Sequence, residues 1–298
     1  MTIAVVDIGT NSTRLLVAQY TRGTLCIVHR DLVTTRLGAG LMEHGVLSME
    51  GKEATAAAVR RFAGQAGKLK AAEVLLLGTS AMREAQDGPE FARLLERDTG
   101  CRVEILSAEA EAFYSYRGAV KSLPQYCLPV VFDLGGGSCE LAWENGLLQT
   151  VSLKIGAVYV TDTFFLQDPP TAGEVAAAAE HIRTSLMRVC PQGRPLIGVG
   201  GTVTNLAAMA LELSPYSPEA VHGFILERGL IKSQLERMLT LKTADREQLQ
   251  GIQKNRAAIL PAGTLVVDML LELCNSSQLV VSEGDLLLGR LYGFISEA

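Results

Sequence analysis

The amino-acid sequence predicts an α/β fold made of two similar halves. Short apolar runs that end in Gly turns alternate with stretches of helical periodicity, the pattern of strands layered against helices. The opening run at residues 3–6, with Asp7-Ile8-Gly9-Thr10-Asn11-Ser12 behind it, aligns without a gap with the central stretch at 130–143. Asp7 then meets Asp133, Gly9 meets Gly135, Ser12 meets Ser138 and Arg14 meets Glu140, at an offset of 126 residues. A second pair, the run at 74–80 and the run at 196–202, places Gly78 against Gly200 at an offset of 122. Two motif pairs at nearly one spacing predict a duplication.

Taken in order, the first half opens with a strand–turn–strand hairpin. Val59, Phe62, Ala63, Ala66 and Leu69 follow at helical spacing, and the second strand of the half ends at Gly78-Thr79-Ser80. KSLPQY at 121–126, with Pro124, marks the expected boundary, giving a first domain of 1–122 and a second of 123–298. The second half repeats the hairpin and continues with a helix carrying Val175, Ala178, Ala179, Ile182, Leu186 and Val189. Beyond the run at 196–202 lie a polar stretch, 243–256, and a long apolar helix from about Thr264. The last helix is expected to pack back on the first domain. Paired halves that end strands in Gly turns predict ligand binding in a cleft outside those strand ends.

Composition narrows the function classes. With 298 residues and 48% hydrophobic content the chain is long enough for two globular domains. A formal charge of −5 argues against bulk binding to nucleic acid or to an anionic membrane surface. The longest apolar stretch, 259–274, is interrupted by Pro261, Gly263, Asp268 and Glu272, so no membrane span is expected. The opening MTIAVVDIGT reads as a strand and not as a signal peptide. Cysteines 26, 101, 127, 139, 190 and 274 are scattered without a CxxC and read as reduced core fillers in a cytosol. Arg36, Arg60, Arg61, Lys68, Lys70 and Arg83 lie in the first third as solvated surface or as a basic channel for a polyanion.

The candidate chemistry sits at the strand ends. Gly135, Gly136 and Gly137 can bring backbone N–H groups against an anion, and Ser138 adds a hydroxyl. Asp133 and Glu140 flank this loop as ligands for Mg²⁺; Asp7 in the first hairpin reads equally as a metal ligand or as a cap on its turn. Glu109 and Glu111 follow Ser107, where they suit a helix's first turn; a carboxylate so placed can also orient an attacking water. Arg83 and Arg36 read as surface charge or as phosphate clamps. Cys139 reads as a small filler. No GxxxxGK[ST], GxGxxG after the first strand, or GxSxG occurs.

DIGTNSTRLL at 7–16, RLGAG at 36–40, GTSAMREA at 78–85, SAEAEA at 107–112, FDLGGGSCEL at 132–141, GVGGTVTNLAA at 198–208 and VHG at 221–223 recur in one order. Together they resemble the exopolyphosphatase/guanosine pentaphosphate phosphatase (Ppx/GppA) family. That resemblance implies two duplicated actin-like (ribonuclease H-like) domains flanking an interdomain cleft. It implies Mg²⁺-dependent removal of a terminal phosphate from inorganic polyphosphate or guanosine pentaphosphate, in the cytoplasm, with a homodimer as one assembly. Glu111 matches the family's catalytic glutamate. Asp133 and Glu140 match its metal-associated acids, with Asp7 as the first-domain counterpart. Arg83 and Arg36 match phosphate arginines, Gly135 to Ser138 the phosphate loop, with Asn11 and Ser12 as its counterpart. Gly200, Gly201 and Thr202 match the second loop. The chain departs from the pattern at Ala108, Ala110, Phe113, Ala258 and Leu287. Two rivals remain: an ATP-using kinase of the same superfamily, and a catalytically weak sensor of guanosine tetra- or pentaphosphate.

Overall fold

A computed structural model describes residues 1–187, 189 and 191–297. The chain divides into two compact units, one formed by residues 1–114 with the C-terminal helix, the other by Ser115–Asp285. The division falls inside a helix, whereas the sequence reading placed it at 122/123. Pro124 lies in the loop after that helix, so the break in pattern and the break in packing do not coincide.

The first unit contains β1 (Thr2–Ile8), β2 (Ser12–Thr21), β3 (Thr24–Thr34), α1 (Leu41–His44), α2 (Met49–Lys68), β4 (Glu73–Gly78), α3 (Ser80–Glu84), α4 (Gly88–Thr99), β5 (Val103–Ile105) and the start of α5 (Ala108–Ser122). Its sheet runs β3-β2-β1-β4-β5. The first three strands are antiparallel, and β4 and β5 join β1 in parallel. A central strand covered on both faces must be apolar on both, which explains the unbroken run at 3–6. Ala4, Val6 and Ile8 pack with Val59, Phe62 and Ala66 of α2, the stripe expected from the periodicity. Ile3 and Val5 face the other way. Ser48 caps α2, its Oγ accepting from Gly51 N at 3.0 Å.

The second unit contains the rest of α5, β6 (Val130–Leu134), β7 (Cys139–Asn145), β8 (Leu147–Leu153), α6 (Ala157–Phe164), α7 (Ala172–Leu186), β9 (Leu196–Val199), α8 (Gly201–Ala210), α9 (Pro218–Val221), β10 (Ile225–Glu227), α10 (Arg228–Leu239), α11 (Thr243–Arg246), α12 (Leu260–Leu273) and β11 (Gln278–Val281). Its sheet runs β10-β11-β9-β6-β7-β8. Strands β8-β7-β6-β9-β11 repeat the order and directions of β3-β2-β1-β4-β5, so the duplication read from the two offsets is present in the fold. A capping box starts α7, with Thr171 Oγ1 accepting from Glu174 N and Thr171 N donating to Glu174 Oε2 at 2.7 Å. The helix ends at Leu186, so Val189 lies beyond it. The long apolar helix, α12, begins at Leu260, ahead of the expected Thr264, and is buried along nearly its whole length. Among the described residues no helix is long and apolar enough to cross a membrane.

Helix α13 (Leu286–Glu297) belongs to the first unit. Leu286, Leu287, Leu288 and Leu291 pack with Ile3, Val5, Leu16 and Leu77 on the sheet face opposite α2. The departure at Leu287 thereby has a physical account: the position is 5% exposed and part of a core.

The cysteines correct the sequence reading. Cys139 and Cys274 are buried fillers, but Cys26 on the edge strand β3 and Cys127 in the loop before β6 are exposed, and Cys101 is half-buried. Cys190 lies outside the described residues. The supposed basic channel is also reduced. Arg60 pairs with Asp98 at 2.6 Å and Arg61 with Asp31 at 2.7 Å, ordinary charge pairs on the rim of α2.

Three carboxylates tie loops to helices and set the acid limit of the fold. At Asp31, Asp87 and Asp168 burial raises the pKa, but donors outweigh it and hold each below the ordinary aspartate value. Those donors are Gln65, Leu32 N–H and Arg61 at Asp31; Lys52 and Leu47 N–H at Asp87; and Thr243 and Arg246 at Asp168. A depressed folded pKa means that the stabilisation is complete above the unfolded value and lost as pH falls through the folded one. The thermal midpoint should therefore hold from neutrality to about pH 4 and fall steeply below it. In Asp87→Asn, which loses the 2.5 Å Lys52 pair, the midpoint should be lower at pH 7 and the fall shallower. An unchanged profile would remove Asp87 from the acid transition.

Candidate functional site

In the first unit the strand-end loop is laced to the RLGAG segment. Thr35 N and Arg36 N donate to Asn11 O at 3.1 and 2.9 Å, and Gly38 N donates to Thr10 O at 2.9 Å. A side chain at Gly38 would meet Thr10 Cγ2 at 2.3 Å, so glycine is required for this approach. Arg36 has φ 50°, a conformation held by its N–H bond to the loop, and its side chain is exposed. Asn11 Nδ2 donates to Ser12 Oγ at 3.3 Å. Asn11, Ser12 and Arg36 are thus brought together at the C-terminal end of β1.

Asp7 and Arg14 are direct cross-strand partners in the β1/β2 ladder. Arg14 donates from Nε and Nη2 to Asp7 Oδ2 at 3.0 and 2.7 Å. The sequence left Asp7 between metal ligand and turn cap; its carboxylate, 5% exposed, is ion-paired with a guanidinium on the neighbouring strand. The gapless alignment of the hairpins contained this pair, but its charge meaning needed the register.

The glutamate pair separates on α5. Ser107 precedes the helix and its Oγ accepts from Ala110 N at 3.2 Å, the expected cap. Glu109 is exposed and held below its ordinary pKa by its own backbone N–H and by Ser107. Glu111, on the inner side of the same turn, is 9% exposed. Its Oε2 accepts from Arg83 Nη1 at 2.7 Å, and that nitrogen also donates to Leu106 O at 3.0 Å. The structure thus brings Arg83 and Glu111 together. Arg83 reaches it from α3, which starts after Gly78, where a side chain would collide with Met82 Sδ at 2.7 Å.

In the second unit the Gly loop leans on α6. Ala157 N donates to Gly135 O, Val158 N and Tyr159 N to Gly136 O, and Gly156 N to Gly137 O, at 2.8–3.3 Å. A side chain at Gly156 would lie 2.3 Å from Gly136 O, so the helix start needs glycine to dock. With these carbonyls bound, what Gly136 and Gly137 can offer a ligand is N–H. Gly135 N donates to Ser138 O at 3.0 Å to close the turn without left-handed backbone; the positive φ falls at Gly200 (φ 100°). A side chain there would lie 2.5 Å from Leu134 O and 3.1 Å from Asp133 Oδ1. Gly200, Gly201 and Thr202 at the start of α8 therefore stand beside Asp133.

Asp133 and Glu140 occupy the register position that Asp7 and Arg14 hold in the first unit. Asp133 Oδ2 accepts from Ser115 Oγ at 2.5 Å and Glu140 Oε1 from Ser152 Oγ at 2.7 Å. Directly opposed residues of an antiparallel pair share one face with Cβ atoms about 5 Å apart, where like charges repel. The pair has the chemistry to share a cation. Among the described residues no group of three or more His, Cys, Asp or Glu converges, so an all-protein metal cage is absent.

Sequence reasoning missed Arg256. It ends the turn at Lys254–Arg256, and its guanidinium lies where a Gly201 side chain would be, 2.0 Å from the added Cβ. Its Nε donates to Gln253 Oε1 at 3.2 Å, and a guanidinium beside the positive end of a helix suits a site that receives an anion. Only its place in a polar stretch was visible in the sequence.

The chain thus consists of two duplicated α/β units, each ending its central strands in Gly-bearing loops. The sequence matches the Ppx/GppA phosphatase family over residues 16–297, and the chain belongs to that family. It is 32% identical to exopolyphosphatase 2 of Mycobacterium tuberculosis over 96% of both chains. It is 27% identical to guanosine-5'-triphosphate,3'-diphosphate pyrophosphatase of Vibrio vulnificus, covering 99% of this chain and 59% of that one. Among solved structures, the Aquifex aeolicus Ppx/GppA family member superposes with TM-score 0.86 and 32% identity, over 100% of this chain and 98% of that one.

The two hairpins should respond oppositely to loss of charge. Arg14→Gln strands a buried carboxylate and should cost about 3 kcal/mol in denaturant unfolding. Glu140→Gln relieves a like-charge pair and should raise metal-free stability by about 0.5 kcal/mol. A destabilised Glu140→Gln would show that the second pair is not repulsive.

Proposed function

We propose that this chain hydrolyses the terminal phosphoanhydride of inorganic polyphosphate or of guanosine pentaphosphate. The observation that carries the reading is Glu111, a nearly buried carboxylate on the first turn of α5, fixed at 2.7 Å by Arg83. A base so held has one orientation toward an attacking water, and its fixed place costs nothing at the moment of reaction. The family membership and the M. tuberculosis relative, matched over nearly its whole length, support the hydrolase class over kinase and sensor. The Vibrio relative, with its shorter covered share, supports the guanosine pentaphosphate alternative.

In this reading Glu111 takes the proton of the attacking water. Arg83 sets its orientation and, with Arg36, meets non-bridging phosphate oxygens. The N–H groups of Gly136 and Gly137, Ser138 Oγ and the start of α8 hold phosphates, with Arg256 as an added clamp. Asn11 and Ser12 serve the same purpose in the first unit. Asp133 and Glu140 fit a divalent cation, Mg²⁺ in the first instance. Two carboxylates on one face, without a third acid, match an ion that completes its shell with water and substrate phosphate. When bound, that ion neutralises charge on the phosphate oxygens. Asp7, already paired with Arg14, serves as an internal strut.

Glu111→Gln keeps size and the Arg83 bond but removes the base. Orthophosphate release from either substrate should fall at least about 100-fold, with the thermal midpoint within a few degrees of wild type. Turnover near that of wild type would exclude Glu111 as the base.

A further inference from the structure

Outside the residues assigned above, the second unit contains one guanidinium almost removed from water. Arg246, on α11, is 2% exposed. Its Nε donates to Met238 O and Leu241 O, both at 3.0 Å. Nη1 donates to Ala257 O at 3.0 Å and Thr243 Oγ1 at 3.4 Å, and Nη2 pairs with Asp168 Oδ1 at 2.7 Å. A buried arginine is tolerated only when its donors are satisfied, and here one planar fork gathers the end of α10, the loop after it, the 168 loop and the backbone at 257.

The last of those contacts has a consequence for ligand binding. Ala257 is fully buried and follows Arg256 directly. Arg256 N donates to Gln253 O and Ala257 N to Lys254 O, at 2.8 and 3.2 Å, closing the turn from which the Arg256 side chain departs. The other end of this segment is held at Gly251, whose carbonyl accepts from Asn205 Nδ2 of α8 at 2.7 Å. A side chain at Gly251 would lie 2.4 Å from Ala208 O. The backbone is therefore pinned to α8 at 251 and to Arg246 at 257. Between those pins the long Arg256 side chain is aimed at Gly201.

We propose that Arg246 is a positioning residue for phosphate binding: it touches no substrate, and fixes the backbone from which Arg256 reaches the start of α8. The proposal rests on the reading of Arg256 as a phosphate clamp. Lysine at 246 keeps the charge but cannot span the Met238, Leu241 and Ala257 carbonyls and Asp168 at once. The turn at 254–256 would then wander, and the ion pair to phosphate would weaken without change at the water-activating glutamate.

The test is a double-mutant cycle read in KM and kcat for orthophosphate release from inorganic polyphosphate. Arg246→Lys should raise KM roughly tenfold with kcat within about twofold, and Arg256→Ala should raise KM at least as much. The double variant should match Arg256→Ala alone, because a residue that acts through another has nothing left to do once that one is gone. Unchanged KM in Arg246→Lys, or KM increases that multiply in the double variant, overturns the positioning role and leaves the clamp intact. Unchanged KM in Arg256→Ala overturns the clamp and with it the proposal, while the hydrolase reading stands or falls separately on Glu111→Gln. If Arg246→Lys loses its cooperative melt, Asp168→Asn removes only the outer partner. It should give a smaller KM increase that again vanishes in the Arg256→Ala background; a KM increase that persists there overturns the proposal.

Discussion

The structure turns on how a carboxylate at the end of each central strand is neutralised. Both sheets place an aspartate at the last pleat of an apolar strand, and both place its cross-strand partner on the same face. In the first unit that partner is Arg14, and the charge is cancelled within the fold. In the second it is Glu140, so the same register sets two carboxylates side by side where the first unit has opposite charges. One duplicated hairpin thus yields an ion pair in one unit and, in the proposed reading, a cation site in the other, through a single difference of side chain. A buried and a half-buried carboxylate in register are tolerable only where a hydroxyl, a proton or a cation attends them. Ser115 and Ser152 supply the hydroxyls.

Around that difference the fold uses glycine for close approach more than for unusual backbone. Gly38 admits Thr10, Gly156 admits the Gly136 carbonyl and Gly201 admits the Arg256 guanidinium. At Gly156 a methyl group would push apart two backbone segments, at Gly38 it would press on the Thr10 side chain, and at Gly201 it would displace the Arg256 guanidinium. In the loops that face phosphate in the proposed reading, positive φ bears at Gly200 and, in the first unit, at Arg36 and Gly40. Rigidity then comes from hydrogen bonds that run from the site outward: α6 amides onto the Gly loop, the Arg83 fork onto Glu111 and Leu106, and the Arg246 fork onto Ala257. Phosphoryl transfer asks mainly for positioning and charge neutralisation, and these bonds provide the positioning.

Much of this was legible in the chain itself. The repeat at 126 residues identified the two hairpins, and the apolar runs gave β1, β4, β6 and β9 because strands buried on both faces cannot hide their composition. Glu111 could be told from Glu109 only by resemblance, since both suit a first helical turn; the fold separates them by exposure. Arg256 was invisible because it lies 55 residues from Gly201 in sequence, and its approach depends on a turn with no periodic signature. The Leu287 departure had no physical meaning in the sequence, because only the packing of α13 shows it filling a core. Arg60 and Arg61 read as solvated surface or as part of a channel, and Asp98 and Asp31 beside them favour the surface reading.

The central claim is that Glu140, where the first unit has arginine, makes the second hairpin a cation site. Electron paramagnetic resonance of Mn²⁺ titrated into the full chain measures this directly, with Glu140→Arg as the comparison that gives the second hairpin the charge pattern of the first. The account predicts saturable binding to the wild-type chain and loss of that binding in Glu140→Arg, with both chains folded. Equal Mn²⁺ binding by the two would contradict it.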